Sequence, residues 1–503
     1  MQLHDLLADL VGFDGTSVLD VHVGPDAIAP ADLNAVEVTA VVDDSRQATP
    51  GALFCCIRGA VTDGHAHARE AVDAGAAALL VEEYLPIPVP QARVASVRAV
   101  LGPLAARFYG EPSFAMRVLG VTGTNGKTTT TYLLESIAIA AGDTTGVIGT
   151  VAARIGDRVL STAHTTPEAT ELQAMLGEMR DRGVDTVAME VSSHALDQHR
   201  VDATNFAAAC FTNLSHDHLD YHGSVDAYFD AKARLFAPVF TRRAAIHVGD
   251  PHGARLARRA AANGLVVTRF AVDDTAADVR ARRVELRPDG TSFELVTCSG
   301  HHVPVHTPLV GSFNVVNALA AATTALLGGF ELDAIVAGLG RLTTVPGRME
   351  RVDAGQDFTA LVDYAHTPDA LDAALGAGRG LIGPGGRVIV VFGCGGDRDR
   401  AKRPMMGEIA ARGADLAFLT TDNPRSEDPA AIVADVLVGV PAGAAVECVA
   451  DRREAIGQAI AAARAGDVVL VTGKGHERGQ IVGDHTEPFD DRVVTREALD
   501  ARS

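Results

Sequence analysis

The residues best suited to chemistry form a glycine-rich turn, residues 122–130, directly after an apolar, strand-like stretch. Gly123 and Gly126 let the backbone approach an anion closely, and Lys127 can neutralise phosphate charge. The Thr128 hydroxyl can ligate Mg²⁺, and a helix that begins here adds its positive dipole end. The standard P-loop has a glycine five residues before Gly126, and that position is a valine here. The turn therefore predicts a phosphate cradle that is tighter than a P-loop, without naming a reaction.

Two further segments carry metal-binding side chains after predicted strands. Glu190 ends the stretch 186–190, and a carboxylate at that point of a phosphate-binding sheet is where Mg²⁺ is held. We favour metal ligation over a solvated glutamate, because apolar residues precede Glu190 and a Ser-Ser-His loop follows. Residues 212–222 contain three histidines and two aspartates, a density that indicates a metal and phosphate site. Since there is no His-Glu-x-x-His motif and oxygen ligands are plentiful, the sequence favours Mg²⁺ over zinc.

Three charged residues have no decisive interpretation from the residues alone. Lys232 lies in a helix-like segment, residues 228–236, and its pattern predicts an ordinary surface lysine. Arg348 and Asp363 flank a predicted linker near residues 344–347. A basic group beside a domain junction can reach a nucleotide in the cleft. An ordinary capping or salt-bridge pair fits Arg348 and Asp363 equally well.

Charged residues of both signs follow three predicted strands in the last third of the chain. Arg398, Arg425 and Glu477 each come after a continuous apolar stretch. Because the carboxyl ends of parallel strands meet at one edge of a sheet, we expect these side chains to converge. Two guanidinium groups and a carboxylate complement an amino acid that carries a carboxylate and an ammonium group. The alternative for residues 422–425 is an Asx-type turn that starts a helix predicted at 429–438.

The whole chain is long and acidic. Its 503 residues are too many to fold around a single hydrophobic core. Because 47% of the residues are hydrophobic and 21% are charged, the composition excludes a mainly disordered protein. The formal net charge of −20 argues against nucleic acid or an anionic membrane as a partner. No apolar run reaches the roughly 18 residues of a membrane span, and the first residues lack secretory-signal features. Six cysteines without Cys-x-x-Cys spacing indicate buried thiols in a reducing compartment, so we expect a cytoplasmic protein.

The order of the predicted elements indicates an α/β protein with three domains. Residues 1–112 alternate short apolar runs with an alanine-rich helix, which is typical of a small α/β unit. Residues 113–345 repeat strand, loop and helix, which predicts a P-loop-type domain with a mostly parallel sheet. An antiparallel part is expected at 282–305. Residues 346–503 contain three buried strands that end in polar loops, which predicts a second, Rossmann-like doubly wound domain.

These segments together resemble the Mur ligases of peptidoglycan synthesis over essentially the whole chain. The resemblance rests on motifs that occur in the same order, at residues 120–130, 165–168, 189–196, 198–200, 213–223, 228–232, 311–317, 347–350, 363–368, 393–404, 422–425 and 473–477. It implies an ATP-dependent ligase that joins meso-2,6-diaminopimelate to the D-glutamyl γ-carboxylate of UDP-MurNAc-L-Ala-D-Glu through an acyl phosphate. The three domains would then bind the UDP-muramyl substrate, ATP and the amino acid, in that order.

The resemblance also implies roles for particular residues. The matches to the ATP site are Gly123, Thr124, Asn125, Gly126, Lys127, Thr128, Thr129, Asn317, Arg348 and Asp363. The matches to the ligands of two Mg²⁺ ions are Thr128, Glu190, His218 and Lys232, the last as a carbamate (N6-carboxylysine). The implied catalytic residues are Lys127, Glu190, His218 and Lys232.

Both substrate sites have matches of the same kind. Those to the UDP-muramyl site are Ser45, Thr165, Thr166, Ser192, Gln198 and Arg200. Those to the diaminopimelate site are Arg398, Asp422, Asn423, Pro424, Arg425, Gly473 and Glu477. The first UDP-contacting segment departs from the family at Asp43, where an apolar residue is common.

The implied partners are three small molecules, with no nucleic acid and no membrane insertion, and we expect a monomer. The nearest alternative is the same ligase adding L-lysine. Arg425 favours diaminopimelate, whose extra carboxylate needs a cation. A more distant alternative is a nucleotide-dependent switch or binding module without ligase activity. A folate-type polyglutamate ligase would share the ATP-dependent ligation chemistry. Its function would not explain why Arg398 and Arg425 occur together.

Overall fold

The computed structural model of the protein describes residues 1–23, 26–27, 33–59, 62–160, 164–287 and 289–502. Three large sheets, of six, eleven and six strands, follow one another along the described chain, with a separate two-stranded hairpin near its end. Helices alternate with the strands and cover the sheets. The α/β class predicted from the sequence is therefore confirmed.

The N-terminal sheet has six strands. In spatial order they are Asp26–Ala27, Val18–Val23, Pro90–Val94, Ala78–Val81, Ala52–Cys55 and Ala40–Val42. The last four pair in parallel and the first two are antiparallel. The helices described in this part of the chain are Leu3–Leu7, Ala68–Asp73 and Val97–Phe108. The two central parallel strands are buried along their whole length, as expected of strands covered on both faces.

The central sheet has eleven strands. In spatial order they are Arg158–Leu160, Ala153–Ile155, Thr145–Ile148, Thr186–Glu190, Arg117–Thr122, Ala208–Phe211, Arg243–His247, Val266–Val272, Val279–Arg287, Gly290–Val296 and His302–Thr307. The strands from Thr145–Ile148 to Val279–Arg287 pair in parallel, and the edges are antiparallel. Its helices are Lys127–Ala140, Ala169–Asp181, Ser193–Asp197, Leu219–His222, Val225–Ala233, Pro251–Ala262, Ser312–Gly328 and Leu332–Arg341.

Three neighbouring strands of the central sheet position the predicted chemistry. Arg117–Thr122 lies between Thr186–Glu190 and Ala208–Phe211, and both pairings are parallel. The carboxyl ends of the three strands therefore meet at one edge of the sheet. That edge brings together the glycine-rich turn, Glu190 and residues 212–222, which are far apart in the sequence.

The C-terminal sheet has six strands. In spatial order they are Glu350–Arg351, Thr359–Asp363, Val468–Thr472, Val388–Phe392, Leu416–Leu419 and Val446–Cys448. All pairs are parallel except the first. The helices are Pro368–Leu381, Lys402–Gly413, Pro429–Leu437, Arg452–Ala462 and Asp491–Arg502, and the hairpin is Gly479–Val482 with His485–Pro488.

The strand Val388–Phe392 shows why this sheet is buried on both faces. Its five residues are all buried. Val388, Val390 and Phe392 belong to one apolar cluster, while Ile389 and Val391 belong to the cluster on the opposite face. A continuous apolar run is the pattern of such a doubly covered strand. Polar residues are therefore confined to the loops at the strand ends.

Two whole-chain expectations can be compared with the structure. Four of the six cysteines are buried free thiols, but Cys298 and Cys448 are exposed, so the prediction of buried thiols is wrong for these two. Cys298 lies in the turn before the edge strand His302–Thr307, and Cys448 ends the edge strand Val446–Cys448, so both lie at the rim of a sheet. Among the described residues, no helix combines the length and the apolar character needed to cross a membrane.

Candidate functional site

The glycine-rich turn is held by tight backbone contacts. Gly126 caps the helix Lys127–Ala140 with a left-handed backbone, φ +86°. A Cβ at Gly126 would lie 2.3 Å from Asn317 Oδ1, and one at Gly123 would lie 1.9 Å from Thr212 Oγ1. The Asn125 N–H donates to Asn213 Oδ1 over 2.9 Å. These contacts leave no room for side chains at the two glycines, which keeps the main chain open to a phosphate group.

Lys127 lies over the turn that precedes it. Its Nζ donates to the carbonyl oxygens of Gly123 and Thr124, both over 2.9 Å. Burial lowers the pKa of Lys127, and the nearby carboxylates of Glu190 and Asp217 oppose that lowering. The ammonium group is thus placed where it can neutralise an anion bound by the turn.

Glu190 is a buried carboxylate, 2% exposed, at the end of its strand. Thr150 holds both of its oxygens, because the Thr150 N–H donates to Oε1 over 2.9 Å and its hydroxyl donates to Oε2 over 3.0 Å. A buried charge without such partners would be costly. The sequence did not single out Thr150, which follows a strand without any distinctive motif.

Lys232 is 1% exposed, so the expectation of a surface lysine is wrong. It lies on the inward side of the helix Val225–Ala233, and its Nζ donates to Gly123 O over 2.9 Å. The Nζ also lies 4.4 Å from the centre of the Tyr228 ring. Burial holds the pKa of Lys232 well below its ordinary value, and the Lys127 charge lowers it further. Desolvation therefore favours the neutral form of this amine beside the phosphate turn.

The three histidines of residues 212–222 have separate contacts. His216 Nε2 lies 2.8 Å from Asp399 Oδ2, and His222 Nε2 lies 3.0 Å from Ser193 Oγ. His218, in a left-handed conformation, lies 3.3 Å from Asp217 Oδ2. Burial lowers the pKa of His218 to about 3, although Asp217 opposes the lowering. Within the described part of the chain, no group of three or more His, Cys, Asp or Glu side chains could hold a metal ion.

Residues from the C-terminal sheet reach the same turn. Arg348 Nη2 donates to Thr128 Oγ1 over 3.1 Å, and its guanidinium lies 4.5 Å from the centre of the Tyr364 ring. Asp363 accepts the N–H groups of Met349 and Ala365, over 2.7 and 2.8 Å. Burial raises the pKa of Asp363, and Arg348 opposes this.

A cleft of about 360 Å³ opens beside Arg348, with Leu309, Asn314 and Thr344 also in its lining. Asn317, one helical turn from Asn314, donates its amide to Asn314 Oδ1 over 2.9 Å. The predicted nucleotide residues are thus brought to one place, at the junction of the central and C-terminal sheets.

Five of the six residues predicted for the UDP-muramyl substrate form one network beside Glu190. Thr165 Oγ1 lies 3.0 Å from Thr150 Oγ1, and the Thr166 hydroxyl donates to Glu190 O over 2.9 Å. Arg200 donates to Thr166 O over 3.2 Å and to Gln198 Oε1 over 2.7 Å. The Ser192 N–H donates to Thr166 Oγ1 over 3.1 Å.

Ser45 lies apart from that network. It is in the N-terminal part of the chain, where its hydroxyl donates to Glu70 Oε2 over 3.2 Å. The neighbouring Asp43 reaches the central part of the chain, because its Oδ1 accepts the Thr170 hydroxyl over 2.8 Å. Burial raises the pKa of Asp43. The segment that departs from the family pattern is therefore also a junction between the first two sheets.

The residues predicted for the amino acid surround the carboxyl edge of the C-terminal sheet. Asn423 Nδ2 donates to Glu477 Oε2 over 2.9 Å. Arg425 Nη1 donates to Gly396 O over 2.7 Å, and burial followed by the Arg398 charge lowers the pKa of Arg425. Arg398 itself is exposed. The edge thus carries two guanidinium groups and a carboxylate, as expected from the sequence.

Backbone geometry and an unused oxygen complete this edge. Gly473 has φ +113°, and a Cβ there would lie 2.5 Å from Asp422 Oδ2. Asp422 Oδ2 is buried without a hydrogen-bond partner, so it is directed at the space beside Gly473. Pro424 O lies 1.9 Å from where a Cβ of Gly396 would be, which fixes the loop 422–425 against the Gly395–Gly396 turn. The sequence pattern alone assigned no role to Lys474, although this residue lies within the motif at residues 473–477.

The two sheet edges face each other. Arg348 is hydrogen-bonded to Thr128, and His216 is hydrogen-bonded to Asp399, across the boundary between the central and C-terminal sheets. The phosphate-type turn and the pocket with both charge signs therefore lie on the two sides of this boundary. The fold and the site together define a multidomain, nucleotide-dependent enzyme of the α/β class.

Comparisons with known proteins identify the family. Three family models match in order: the Mur ligase family, catalytic domain, at residues 37–109; the Mur ligase middle domain at 121–325; and the Mur ligase, glutamate ligase domain, at 347–475. The chain belongs to the Mur ligase family.

Individual relatives cover the whole chain. It is 45% identical over 510 residues to the UDP-N-acetylmuramoyl-L-alanyl-D-glutamate–2,6-diaminopimelate ligase of Geobacillus thermodenitrificans, covering 100% of both chains. The ligase of the same name from Streptomyces coelicolor is 46% identical over 473 residues, 92% of each chain. A solved structure of a ligase with this name is 35% identical, with a TM-score of 0.67 over 92% of this chain and 95% of that one. The MurF ligase of Thermotoga maritima in complex with ADP, 17% identical with a TM-score of 0.63, shares the fold.

Proposed function

We propose that this chain catalyses the ATP-dependent ligation of meso-2,6-diaminopimelate to the D-glutamyl γ-carboxylate of UDP-MurNAc-L-Ala-D-Glu. Support comes from the full-length relatives that carry this name, at 45% and 46% identity. The choice of diaminopimelate as the amino acid rests on the position of Arg425, which lies with Arg398 and Glu477 at one sheet edge. The second guanidinium complements a carboxylate that L-lysine lacks.

The first step would form an acyl phosphate at the central sheet edge. A γ-carboxylate oxygen attacks the γ-phosphorus of ATP, the bond to the bridging oxygen breaks, and ADP leaves. Lys127 and the backbone N–H groups of residues 123–129 would stabilise the charge on the transferring group. Asn317, Arg348 and Asp363 would bind the rest of the nucleotide at the cleft beside Arg348.

The residues present fit two Mg²⁺ ions. The donor set of Thr128, Glu190 and His218, with a carbamate on Lys232, is mainly oxygen, which Mg²⁺ prefers. No group of three or more His, Cys, Asp or Glu side chains is preformed for a metal ion in the described residues. The ions would therefore complete their coordination with phosphate oxygens and water, as Mg²⁺ does at nucleotide sites. Mg²⁺ supplies charge neutralisation between the phosphates and the attacking carboxylate.

The second step would form the amide bond. The neutral amine of diaminopimelate attacks the acyl carbon, phosphate leaves, and the amine loses a proton. Arg398, Arg425, Glu477 and residues 422–424 would hold the far end of the amino acid. Closure of the two sheet edges would exclude water from the acyl phosphate, which would otherwise hydrolyse.

These sites assign one substrate to each of the three parts of the chain. Residues 1–112 would bind the UDP-muramyl substrate with Ser45, residues 113–345 would bind ATP, and residues 346–503 would bind the amino acid. Thr165, Thr166, Ser192, Gln198 and Arg200 would contact the muramyl peptide from the central domain. The substrates are small, soluble molecules, so a monomer in the cytoplasm suffices for this chemistry.

Phosphate release tests the proposal directly. With purified enzyme, Mg²⁺ and ATP, sustained release should require both the UDP-muramyl dipeptide and diaminopimelate. L-lysine should substitute poorly. Release that depends on neither substrate would contradict a ligase function, and equal rates with lysine would contradict the choice of amino acid.

Replacing Thr150 with valine should weaken Mg²⁺ binding while the fold persists. The substitution removes the hydroxyl that holds Glu190 Oε2 but keeps the N–H bond to Oε1. Partners that orient a metal ligand typically contribute about 10- to 100-fold in metal affinity. We expect the Mg²⁺ concentration for half-maximal activity to rise about tenfold. Thr324→Val, which removes a buried hydroxyl from a helix away from the site, is the matched control. An unchanged Mg²⁺ requirement in Thr150→Val would refute the role of Thr150.

A further inference from the structure

The chain uses lysine at only four positions among its 44 basic residues, namely Lys127, Lys232, Lys402 and Lys474. Three of them are buried, with exposed fractions of 1% for Lys232, 6% for Lys402 and 0% for Lys474. The fourth, Lys127, is directed at the phosphate turn. Arginine therefore supplies the cations of the protein surface. A lysine retained in this background marks a place where a compact ammonium is needed instead of a planar guanidinium.

Two of the four lysines have roles in the proposed function. Lys127 faces the phosphate turn, and Lys232 is the amine predicted to become a carbamate. Lys402 donates to His366 O over 2.9 Å and lies near Asp217, on the side of the C-terminal sheet that faces the central sheet. Lys474 is the remaining lysine, and no step described so far uses it.

Lys474 connects two residues of the amino-acid pocket. Its Nζ donates to Asn423 Oδ1 over 2.8 Å and to Glu477 Oε2 over 2.9 Å. Asn423 Nδ2 donates to the same Glu477 oxygen over 2.9 Å. The Ile481 N–H also donates to Asn423 Oδ1, over 3.0 Å, so Lys474 and this N–H together set which end of the Asn423 amide faces Glu477. Lys474 also engages one Glu477 oxygen and leaves Oε1 as the oxygen available to a ligand.

Charge counting shows what Lys474 adds to this pocket. Arg398 and Arg425 carry positive charge, and Asp422 carries a negative charge. Glu477 carries a second negative charge, which Lys474 offsets. Asp397 adds a further negative charge near Arg425. Whatever the total, Lys474 makes the pocket one charge more positive than it would be without this lysine. Arg452 does not alter the balance, because it is fully buried in an ion pair with Asp491, at 2.6 Å.

The reacting forms of the two competing amino acids differ by one charge. The attacking amine must be neutral, so diaminopimelate then keeps two carboxylates and one ammonium, a net charge of −1. L-lysine in the same form keeps one carboxylate and one ammonium, a net charge of zero. A positive charge added to the pocket therefore favours the reacting form of diaminopimelate over that of L-lysine.

We propose that Lys474 is a positioning residue that contributes to the specificity for diaminopimelate, by orienting Asn423 and Glu477 and by making the pocket more positive. This inference rests on the proposed function. It assigns no contact between Lys474 and the substrate, because Asn423 and Glu477 stand between them and both would touch the far end of the amino acid.

The test is Lys474→Met, which removes the charge and keeps the side-chain length. We expect the KM for diaminopimelate to rise about tenfold or more, in line with losing one partner of a buried charge pair. The ratio of kcat/KM for diaminopimelate over L-lysine should fall by a similar factor. The KM for ATP should stay within about twofold, since the nucleotide residues are unaffected. ADP formed in a single turnover without any amino acid should also be retained.

Matched variants separate positioning from a merely structural role. Lys402→Met removes the other buried lysine of the same domain and should leave the discrimination ratio unchanged. Glu477→Gln combined with Lys474→Met should cost less than the sum of the two single variants, because Lys474 acts in part through Glu477. If Lys474→Met fails to fold, the same measurements are made on Lys474→Gln, whose amide can still donate to one of the two partners.

Two results would overturn the assignment. One is an unchanged discrimination ratio in a Lys474 variant that still forms ADP in the single turnover. The other is full additivity with Glu477→Gln. Failure of the wild-type enzyme to form ADP from ATP and the UDP-muramyl dipeptide would instead contradict the proposed function itself, so the two failures are distinguishable.

Discussion

Replacing Lys232 with alanine is expected to lower ligase turnover by about 100-fold or more, because an anionic ligand beside the phosphate turn is lost. Lys232 is 1% exposed, and burial with the Lys127 charge holds its pKa well below the ordinary value. Desolvation thus disfavours the ammonium form of the amine, and the neutral form is the nucleophilic one. It can add to carbon dioxide, forming a nitrogen–carbon bond and releasing a proton. The product is a carbamate, which turns a buried amine into a carboxylate-like ligand.

Chemical rescue distinguishes this role from simple packing. Formate or acetate should partly restore the activity of Lys232→Ala, since a small carboxylate can occupy the space left by the carbamate. Lys232→Arg should stay inactive with or without carboxylate, because a guanidinium fills the space and forms no carbamate. Steady-state rates with and without added carboxylate are the measurement. A folded Lys232→Ala that no carboxylate rescues would count against carbamylation.

Replacing Arg425 with alanine is expected to reduce kcat/KM for diaminopimelate by about 100-fold, as for truncating one partner of a buried charge pair. Arg425 is half-buried and is held by Gly396 O at 2.7 Å, so its guanidinium is fixed before the amino acid binds. Loss of that cation removes the complement to the far carboxylate. The rate with L-lysine should change much less, because lysine has no carboxylate at that end.

Arg425→Lys is the matched control for this prediction. It keeps the charge but loses the planar, bidentate geometry, so we expect an intermediate kcat/KM for diaminopimelate. Acyl-phosphate formation, followed as ADP produced without an amino acid, should be normal in both variants. A normal KM for diaminopimelate in Arg425→Ala would show that the pocket assignment is wrong.

The local pattern of the sequence is sufficient to predict the strands that position the site. Thr186–Glu190 has the predicted bounds, and Val388–Phe392 is one of the three buried strands expected within residues 346–503, because both are short apolar runs that end abruptly in polar residues. The order of the strands could also be anticipated in outline, since strand–loop–helix alternation dictates a parallel sheet whose carboxyl ends share an edge. The sequence pattern therefore predicts that Glu190 and the phosphate turn are neighbours.

Contacts between distant segments could not be predicted in the same way. Lys232 has the local pattern of a surface residue, and only the packing of its helix against the turn buries it. Thr150 holds Glu190 across 40 residues of sequence and lacks a motif. Lys474 lies within a segment that was singled out, yet its partner Asn423 lies 51 residues away. In each case a tertiary contact, which leaves no periodic signal, decides the role.

The scarcity of lysine has a practical consequence for spectroscopy. Enzyme produced with lysine that is isotopically labelled at the carbon next to the amine would give only four side-chain signals. One signal would report on the phosphate turn, one on the predicted carbamate, one on the face toward the central sheet and one on the amino-acid pocket. Labelled carbon dioxide would add a carbamate resonance coupled to a single amine. Stepwise addition of nucleotide, UDP-muramyl dipeptide and amino acid could then be followed at each place separately, without introducing any foreign probe.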